Sequence, residues 1–154
     1  MRKIVGRFLS FIYRILLALS QAGYRLFPSR IKKVNARVIS IGNITWGGTG
    51  KTPFVEYLAR RVGDFGKTPL VLTRGYNHDE VRQLERHLPR AVIGVGKDRA
   101  ATAKKMSRDR TINLAILDDG FQHWPLERDL ELVMINAVNP FGNGKLLPRG
   151  ILRE

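Results

Sequence analysis

Cysteine is absent from the 154 residues. That excludes a disulfide framework and a thiolate metal site, and it suits a reducing compartment. Acidic residues are also missing from the first part of the chain, where Glu56 is the first to occur. Before it stand Arg2, Lys3, Arg7, Arg14, Arg25, Arg30, Lys32, Lys33, Arg37 and Lys51, ten cations with no counter-charge. The remainder carries 17 basic and 13 acidic residues, so the net charge of +14 is mostly an amino-terminal property. Such a distribution fits a membrane surface or a nucleic acid. The cations lie on an amphipathic segment and not among the interleaved aromatics of a base-stacking platform, so no nucleic-acid partner is expected.

An uninterrupted apolar run of the roughly 20 residues needed to cross a bilayer is lacking too, because Arg14 falls near the middle of the greasy amino-terminal stretch. Taken as a helix over residues 3–27, that stretch places Lys3, Arg7, Ser10, Arg14, Gln21 and Arg25 within an arc of about 60°. Most of the rest of its surface is apolar: Phe8, Leu9, Phe11, Ile12, Ile15, Leu16, Leu19, Leu26 and Phe27. A wide apolar face with a narrow cationic stripe suits a helix lying in the interface of an anionic membrane. Packing on a protein core and a cleaved signal peptide are the competing readings, the latter weakened by Arg14. Pro28-Ser29-Arg30 ends the helix, and Ile31-Lys32-Lys33 adds charge beside the supposed surface. The expected division is a membrane-associated helix over 1–30 and a single folded lobe over 31–154, long enough to bury a core.

In that lobe, Arg37 to Gly42 reads as a strand and Pro53 to Arg61 as a helix, with Thr45-Trp46-Gly47-Gly48-Thr49-Gly50-Lys51-Thr52 between them. The run approximates the phosphate-loop pattern G-x-x-x-x-G-K-[ST], with Thr45 where the first glycine belongs. In such a loop, glycine frees successive backbone N–H groups to turn on an anion at a helix N-terminus. The expected ATP-binding residues are Thr45, Gly47, Gly48, Thr49, Gly50, Lys51 and Thr52, with Lys51 on the β- and γ-phosphates and the Thr52 hydroxyl on Mg²⁺.

Further strands are expected at 68–73, 91–95, 112–117 and 130–135, and helices at 79–88 and 100–106. Strands alternating with helices, and apolar throughout, imply a parallel sheet covered on both faces. The class is therefore α/β, a P-loop NTPase-like doubly wound sheet, with ligands at the carboxyl ends of the strands. Polar clusters gather there. Asp118 and Asp119 follow an apolar run, and one of the two is expected to take part in holding Mg²⁺. Asp98 is either the carboxylate that accepts a proton from an attacking hydroxyl or the N-cap of the helix after it. Arg74 and Arg99 are candidates for balancing phosphate charge. His123 could ligate, transfer protons or hold structure. Trp46 and Trp124 could line a lipid-facing cleft, but are expected in the core.

Gly42 to Pro53, with threonine at position 45, resembles the phosphate loop of the tetraacyldisaccharide 4'-kinase (lipid A 4'-kinase) family. Further matching runs are Thr73-Arg74-Gly75-Tyr76, Asp79-Glu80, Val95-Gly96-Lys97-Asp98-Arg99, Asp118-Asp119-Gly120-Phe121-Gln122-His123, Gly142 to Pro148 and Leu152-Arg153-Glu154. The resemblance covers nearly the whole chain from residue 12. It implies an ATP- and Mg²⁺-dependent phosphotransferase acting on the 4'-hydroxyl of a disaccharide lipid A precursor. The expected location is the cytoplasmic face of the bacterial inner membrane, where the protein is peripheral and docks through the N-terminal helix. It favours Asp98 with Lys51 as catalytic and Asp118-Asp119 as the metal end. Arg74, Tyr76, Arg99, Gln122 and His123 stand in matching runs and are possible substrate or phosphate contacts. Two departures from the family pattern stand beside the resemblance: a shorter segment between Tyr76 and Asp79, and the expected absence of the family's C-terminal lobe from these 154 residues.

Overall fold

The structure, a computed structural model, describes residues 2–75 and 78–154. Tyr76, one of the expected contacts, lies outside the described residues. Helix α1 (Arg2–Leu26) is followed by a short 3-10 turn, Pro28–Arg30, and then by β1 (Arg37–Gly42) and α2 (Lys51–Asp64). Next come β2 (Pro69–Thr73), α3 (His78–His87), β3 (Val92–Val95), α4 (Arg99–Met106), β4 (Leu114–Asp118) and β5 (Leu130–Val133). The strands form one sheet in the order β3-β2-β4-β1-β5, and every pairing is parallel.

That order puts a switch point beside β1. The chain moves outward through β2 and β3, returns to insert β4 between β2 and β1, and then lays β5 on the other flank of β1. Crevices at such a reversal are where open α/β sheets hold ligands. The register aligns Ile41 with Asp118, so the loop after β1 and the acidic end of β4 emerge side by side.

Two apolar layers hold the sheet. On one face Val38, Leu70, Leu72, Ala115 and Leu117 pack with Ala100 and Ala103 of α4. On the other, Ile41, Val71 and Ile116 pack with Val55 and Ala59 of α2 and with Leu84 and Leu88. Full burial of each large side chain contributes roughly 1.5–3 kcal/mol, which is why the apolar runs are strands in the middle of the sheet and not its rim. The expectation of strands covered on both faces holds for β1, β2 and β4. It fails at the two edges: in β5 Leu130 is 49% and Val133 36% exposed, and in β3 Val95 is 44% exposed.

Helix α1 does not bury its apolar side on the lobe. Ile4, Phe8, Leu19 and Leu26 are 63–73% exposed. The half-buried stripe is instead Gly6, Ser10, Tyr13, Leu17, Gln21 and Tyr24, at helical spacing. Ser10 Oγ donates to the Leu146 carbonyl (3.2 Å) and Tyr13 Oη to the Arg153 carbonyl (2.9 Å). Packing of the greasy face on the chain's own core is therefore not realised. By length and composition Ile4–Leu26 is also sufficient to cross a membrane, so the length argument against a span does not stand. The case for an interfacial lie rests on mid-helix Arg14 and on a polar stripe already seated against the lobe.

Candidate phosphate-binding site

The turn between β1 and α2 is built around a buried amide. Asn43 is fully buried, and its Nδ2 donates to Thr49 Oγ1 (3.1 Å) and to the Gly47 carbonyl (3.4 Å), folding the loop over itself. Gln122 Nε2 supports it from below through the Asn43 carbonyl (3.0 Å). Thr45 is buried and bridges antiparallel to Leu152, while the Trp46 N–H donates to the Ile151 carbonyl (2.6 Å). Thr45, expected among the ATP-binding residues, is thus part of the loop's wall. Gln122, expected as a contact, is its strut.

Gly47 and Gly50 have φ of 123° and 77°, in the left-handed region that only glycine enters cheaply. Gly48 is outside that region, and a methyl group added to it would meet nothing within 4 Å. Gly50 caps α2 without any side-chain acceptor, so the first-turn N–H groups of the helix have no side-chain cap. These groups face the exposed side of the loop, the arrangement a phosphate-binding turn would need.

Lys51 opens α2 with a mostly buried side chain, its Nζ 3.7 Å from Asp119 Oδ1. Arg153 holds the same carboxylate with both guanidinium nitrogens (3.0 and 3.4 Å) and also donates to Asn43 Oδ1 (3.3 Å). Asp119 turns away from the strand with φ 51°, so the β alternation does not govern its direction. Asp118 is the last residue of β4. Burial, and then the adjacent Asp119 charge, push its carboxyl up to about 6, with Lys51 pulling the other way. Two cations already share Asp119, whereas Asp118 is a half-buried acid beside the loop. Of the pair, Asp118 is the one whose environment calls for an added cation, and with the Thr52 hydroxyl in the first turn of α2 it fits a hard oxygen-seeking ion. The described residues contain no cluster of three or more His, Asp or Glu suited to a metal. Mg²⁺ does not need one, since it commonly takes one or two carboxylates and completes its shell with phosphates and water.

A second group lies past β3. Asp98 is the N-cap of α4, accepting from the Ala101 N–H (3.0 Å), and it binds Lys32 Nζ at 2.6 Å. The Lys32 hydrogen bond and then the Ala101 N–H hold its carboxyl below the usual range. Capping is therefore realised, and the carboxylate is still half-exposed beyond it. Of the two candidates for balancing phosphate charge, Arg99 is buried and Arg74 is exposed.

His123 sits near both, with Nε2 buried and without a hydrogen-bond partner. Burial, and next the Arg99 charge, lower it to about 4. Trp124 is half-buried under Arg128, 5.2 Å from its ring, and Trp46 stands 68% exposed on the loop, so neither is a core residue.

The His123 ring carries a pH signature. Its folded-state affinity for protons is lower than the ordinary 6.5 of the unfolded chain, so stability is full above 6.5 and declines as the pH falls towards about 4. Unfolding free energies from urea titrations at pH 7 and 4.5 should differ by about 1–2 kcal/mol less in His123→Gln than in the parent. Equal differences in the two proteins would mean the imidazole is protonated in the folded state.

Sequence reasoning passed over Asn43 and Arg153 as working residues. A buried Asn one residue past a strand was a readable sign of a turn staple. Arg153 carried no local signal, lying 34 residues from its partner Asp119.

The comparisons with known proteins agree with this geometry. The family model described as tetraacyldisaccharide-1-P 4'-kinase matches residues 3–154. A probable mitochondrial tetraacyldisaccharide 4'-kinase of Arabidopsis thaliana is 43% identical over 94% of this chain and 44% of its own length. The tetraacyldisaccharide 4'-kinase of Halothermothrix orenii is 40% identical, over 93% and 43%. The chain thus spans about half the length of the curated relatives it matches. Among solved structures, LpxK from Aquifex aeolicus in complex with ATP superposes with a TM-score of 0.86 at 30% identity, over 100% of this chain and 55% of that one. The cell division protein FtsY of Thermotoga maritima shares the fold alone, with a TM-score of 0.51 at 20% identity over 72% of this chain and 47% of that one. With a family match running from residue 3 to the last position, on a sheet whose β1 loop and β4 end meet as the motif requires, the chain belongs to the tetraacyldisaccharide 4'-kinase family.

Proposed function

We propose that this chain supplies the phosphate-binding lobe of a kinase that transfers the γ-phosphoryl group of ATP to the 4'-hydroxyl of a tetraacyldisaccharide 1-phosphate. The supporting observation is convergence. The glycine loop, Lys51 and Asp118 emerge together at one end of the sheet, beside the switch point of its strand order. In the transfer, the hydroxyl oxygen bonds to the γ-phosphorus as the β–γ bridging P–O bond breaks, and ADP leaves with that bond's electron pair. Lys51 and the loop N–H groups hold the β- and γ-oxygens. Thr52 and Asp118 would hold Mg²⁺, whose chemistry there is neutralisation of phosphate charge. Asp98 accepts a hydrogen bond from the attacking hydroxyl and takes its proton. Kept anionic by Lys32, it orients that hydroxyl more than it pulls on it.

Residues 1–30 act in this reading as the element that docks on the anionic cytoplasmic face of the inner membrane, as a peripheral contact. The outward apolar face of α1 and the cations Arg7, Arg14 and Arg25 along its rim support that placement. Residues 31–154 form the lobe that this helix brings to the lipid.

A nucleotide-binding module without catalysis is the second reading, and the engagement of Asp98 as a helix cap favours it. Two variants separate them when the chain is incubated with ATP, Mg²⁺ and the disaccharide lipid. Asp98→Asn keeps the capping oxygen and loses the charge, whereas Asp98→Ala loses both and about 1 kcal/mol of helix stability. Kinase chemistry predicts that both lower turnover by about 10²-fold or more while nucleotide still binds. A parent chain that binds nucleotide but yields no phosphorylated lipid would establish the module.

A further inference from the structure

Among the described residues, the two side-chain hydrogen bonds from α1 to the lobe, from Ser10 and Tyr13, end on one segment, residues 146–153. That segment is also the outer wall of the phosphate loop. Ile151 accepts from the Trp46 N–H, Leu152 bridges Thr45, and the Arg153 N–H donates to the Ile44 carbonyl at 2.8 Å. The Arg153 backbone is therefore held at two points: its N–H by the loop and its carbonyl by the Tyr13 hydroxyl of α1. The Arg153 guanidinium then reaches inward to Asp119, which it shares with Lys51.

We infer that Tyr13 is a positioning residue for nucleotide binding: through the Arg153 carbonyl it keeps the Arg153 guanidinium on Asp119 and so leaves Lys51 available to phosphate. The electrostatics follow from the shared carboxylate. With Arg153 in place the Asp119 charge is already compensated, and Lys51, at 3.7 Å, is only loosely tied to it. When the Arg153 backbone drifts, Asp119 has Lys51 as its remaining cation. Lys51 is then drawn into that pair, and phosphate must compete with a carboxylate for it. The geometry of Tyr13 favours this role over simple packing. Its ring lies in the half-buried stripe of α1, and its hydroxyl ends on a main-chain carbonyl 140 positions away. Burial raises the hydroxyl above its ordinary value, with the Arg153 charge opposing, so it stays a neutral donor across the working range.

This inference rests on the nucleotide reading above, and one set of measurements keeps the two apart. A fluorescent ATP analogue with Mg²⁺ is titrated against the full chain as the parent, Tyr13→Phe, Arg153→Ala and the double variant. Tyr13→Phe keeps the ring and removes only the donor, so the fold is retained and far-ultraviolet circular dichroism checks it. Tyr13→Phe should weaken binding about threefold to tenfold, the scale of one lost hydrogen bond. Arg153→Ala should weaken it more, and the double variant no further than Arg153→Ala, because Tyr13 acts only through that residue. Tyr13→Phe binding like the parent, or penalties that simply add in the double variant, overturns the inference. A parent chain with no affinity for the analogue overturns the nucleotide reading itself, and this inference with it.

Discussion

Lys51→Ala should lower γ-phosphoryl transfer by at least about 10²-fold while leaving the melting temperature almost unchanged. The split follows from what Lys51 touches. Its one ion pair among the described residues, to Asp119 at 3.7 Å, is shared with the closer Arg153, so the folded chain loses less than about 1 kcal/mol when the ammonium goes. On the proposed reading the phosphates, in contrast, lose the point charge that would face their β- and γ-oxygens. A further mark accompanies it. Lys51 is the charge that counteracts burial at Asp118, so its loss pushes that carboxyl further up from about 6. Metal-dependent nucleotide binding in Lys51→Ala should therefore need a higher pH than in the parent, since Asp118 must be ionised to hold a cation. Turnover assays and nucleotide titrations across pH 5.5–8 measure both effects. Unchanged turnover would refute the assignment of the loop.

Gly42→Ala acts in the opposite way, on the fold first. Gly42 ends β1, and a methyl group there would lie 2.6 Å from the Phe121 backbone nitrogen and 2.4 Å from its Cβ. Main chain cannot swing aside as a long side chain can, so the strand and the 119–122 turn must part. An overpacked site of this kind costs about 3 kcal/mol, or roughly 10 °C in melting temperature for a chain of this size. The damage is local to the site as well, because that turn carries Asp119 and Gln122, which brace the loop from below. Thermal unfolding with and without ATP should show a large drop in the free protein and a smaller stabilisation by nucleotide. A melting temperature within 2 °C of the parent would show that the turn can move freely and that this close approach does not fix it.

The sheet was legible because parallel strands buried on both faces leave unbroken apolar runs, and 69–73 and 114–117 are such runs. The same rule misjudged β5. Leu130 and Val133 look like their counterparts in β1, yet edge position is set by strand order, which no local pattern encodes. Helix α2 begins at Lys51, two residues before the proline that marks it, because the capping residue is Gly50 in the left-handed conformation and not a side-chain cap. At the site, the glycines, Lys51 and Thr52 could be read as one contiguous motif.

The roles of the two aspartates could not. Strand alternation would send them to opposite sides, but Asp119 leaves the β region altogether, and what separates them is Arg153 reaching back from the far end of the chain. Asp98 posed a similar problem. Its cap partner is three residues away and its charge partner Lys32 is 66 away, so half of its environment was local and half was not. Trp46 was misread as core because aromatic size was weighed without knowing that the loop stands clear of the sheet.

The open ground around Gly48 separates two kinds of selection. Alanine there would collide with nothing in the polypeptide, and shedding glycine's backbone freedom would make the native state slightly more favourable. If the proposed kinase reading holds, a library sorted only for soluble expression would drift away from glycine at that position, and one sorted for lipid phosphorylation would return to it. On the proposed reading, the absent methyl is a negative imprint of the nucleotide, held open by chemistry that the polypeptide alone does not enforce.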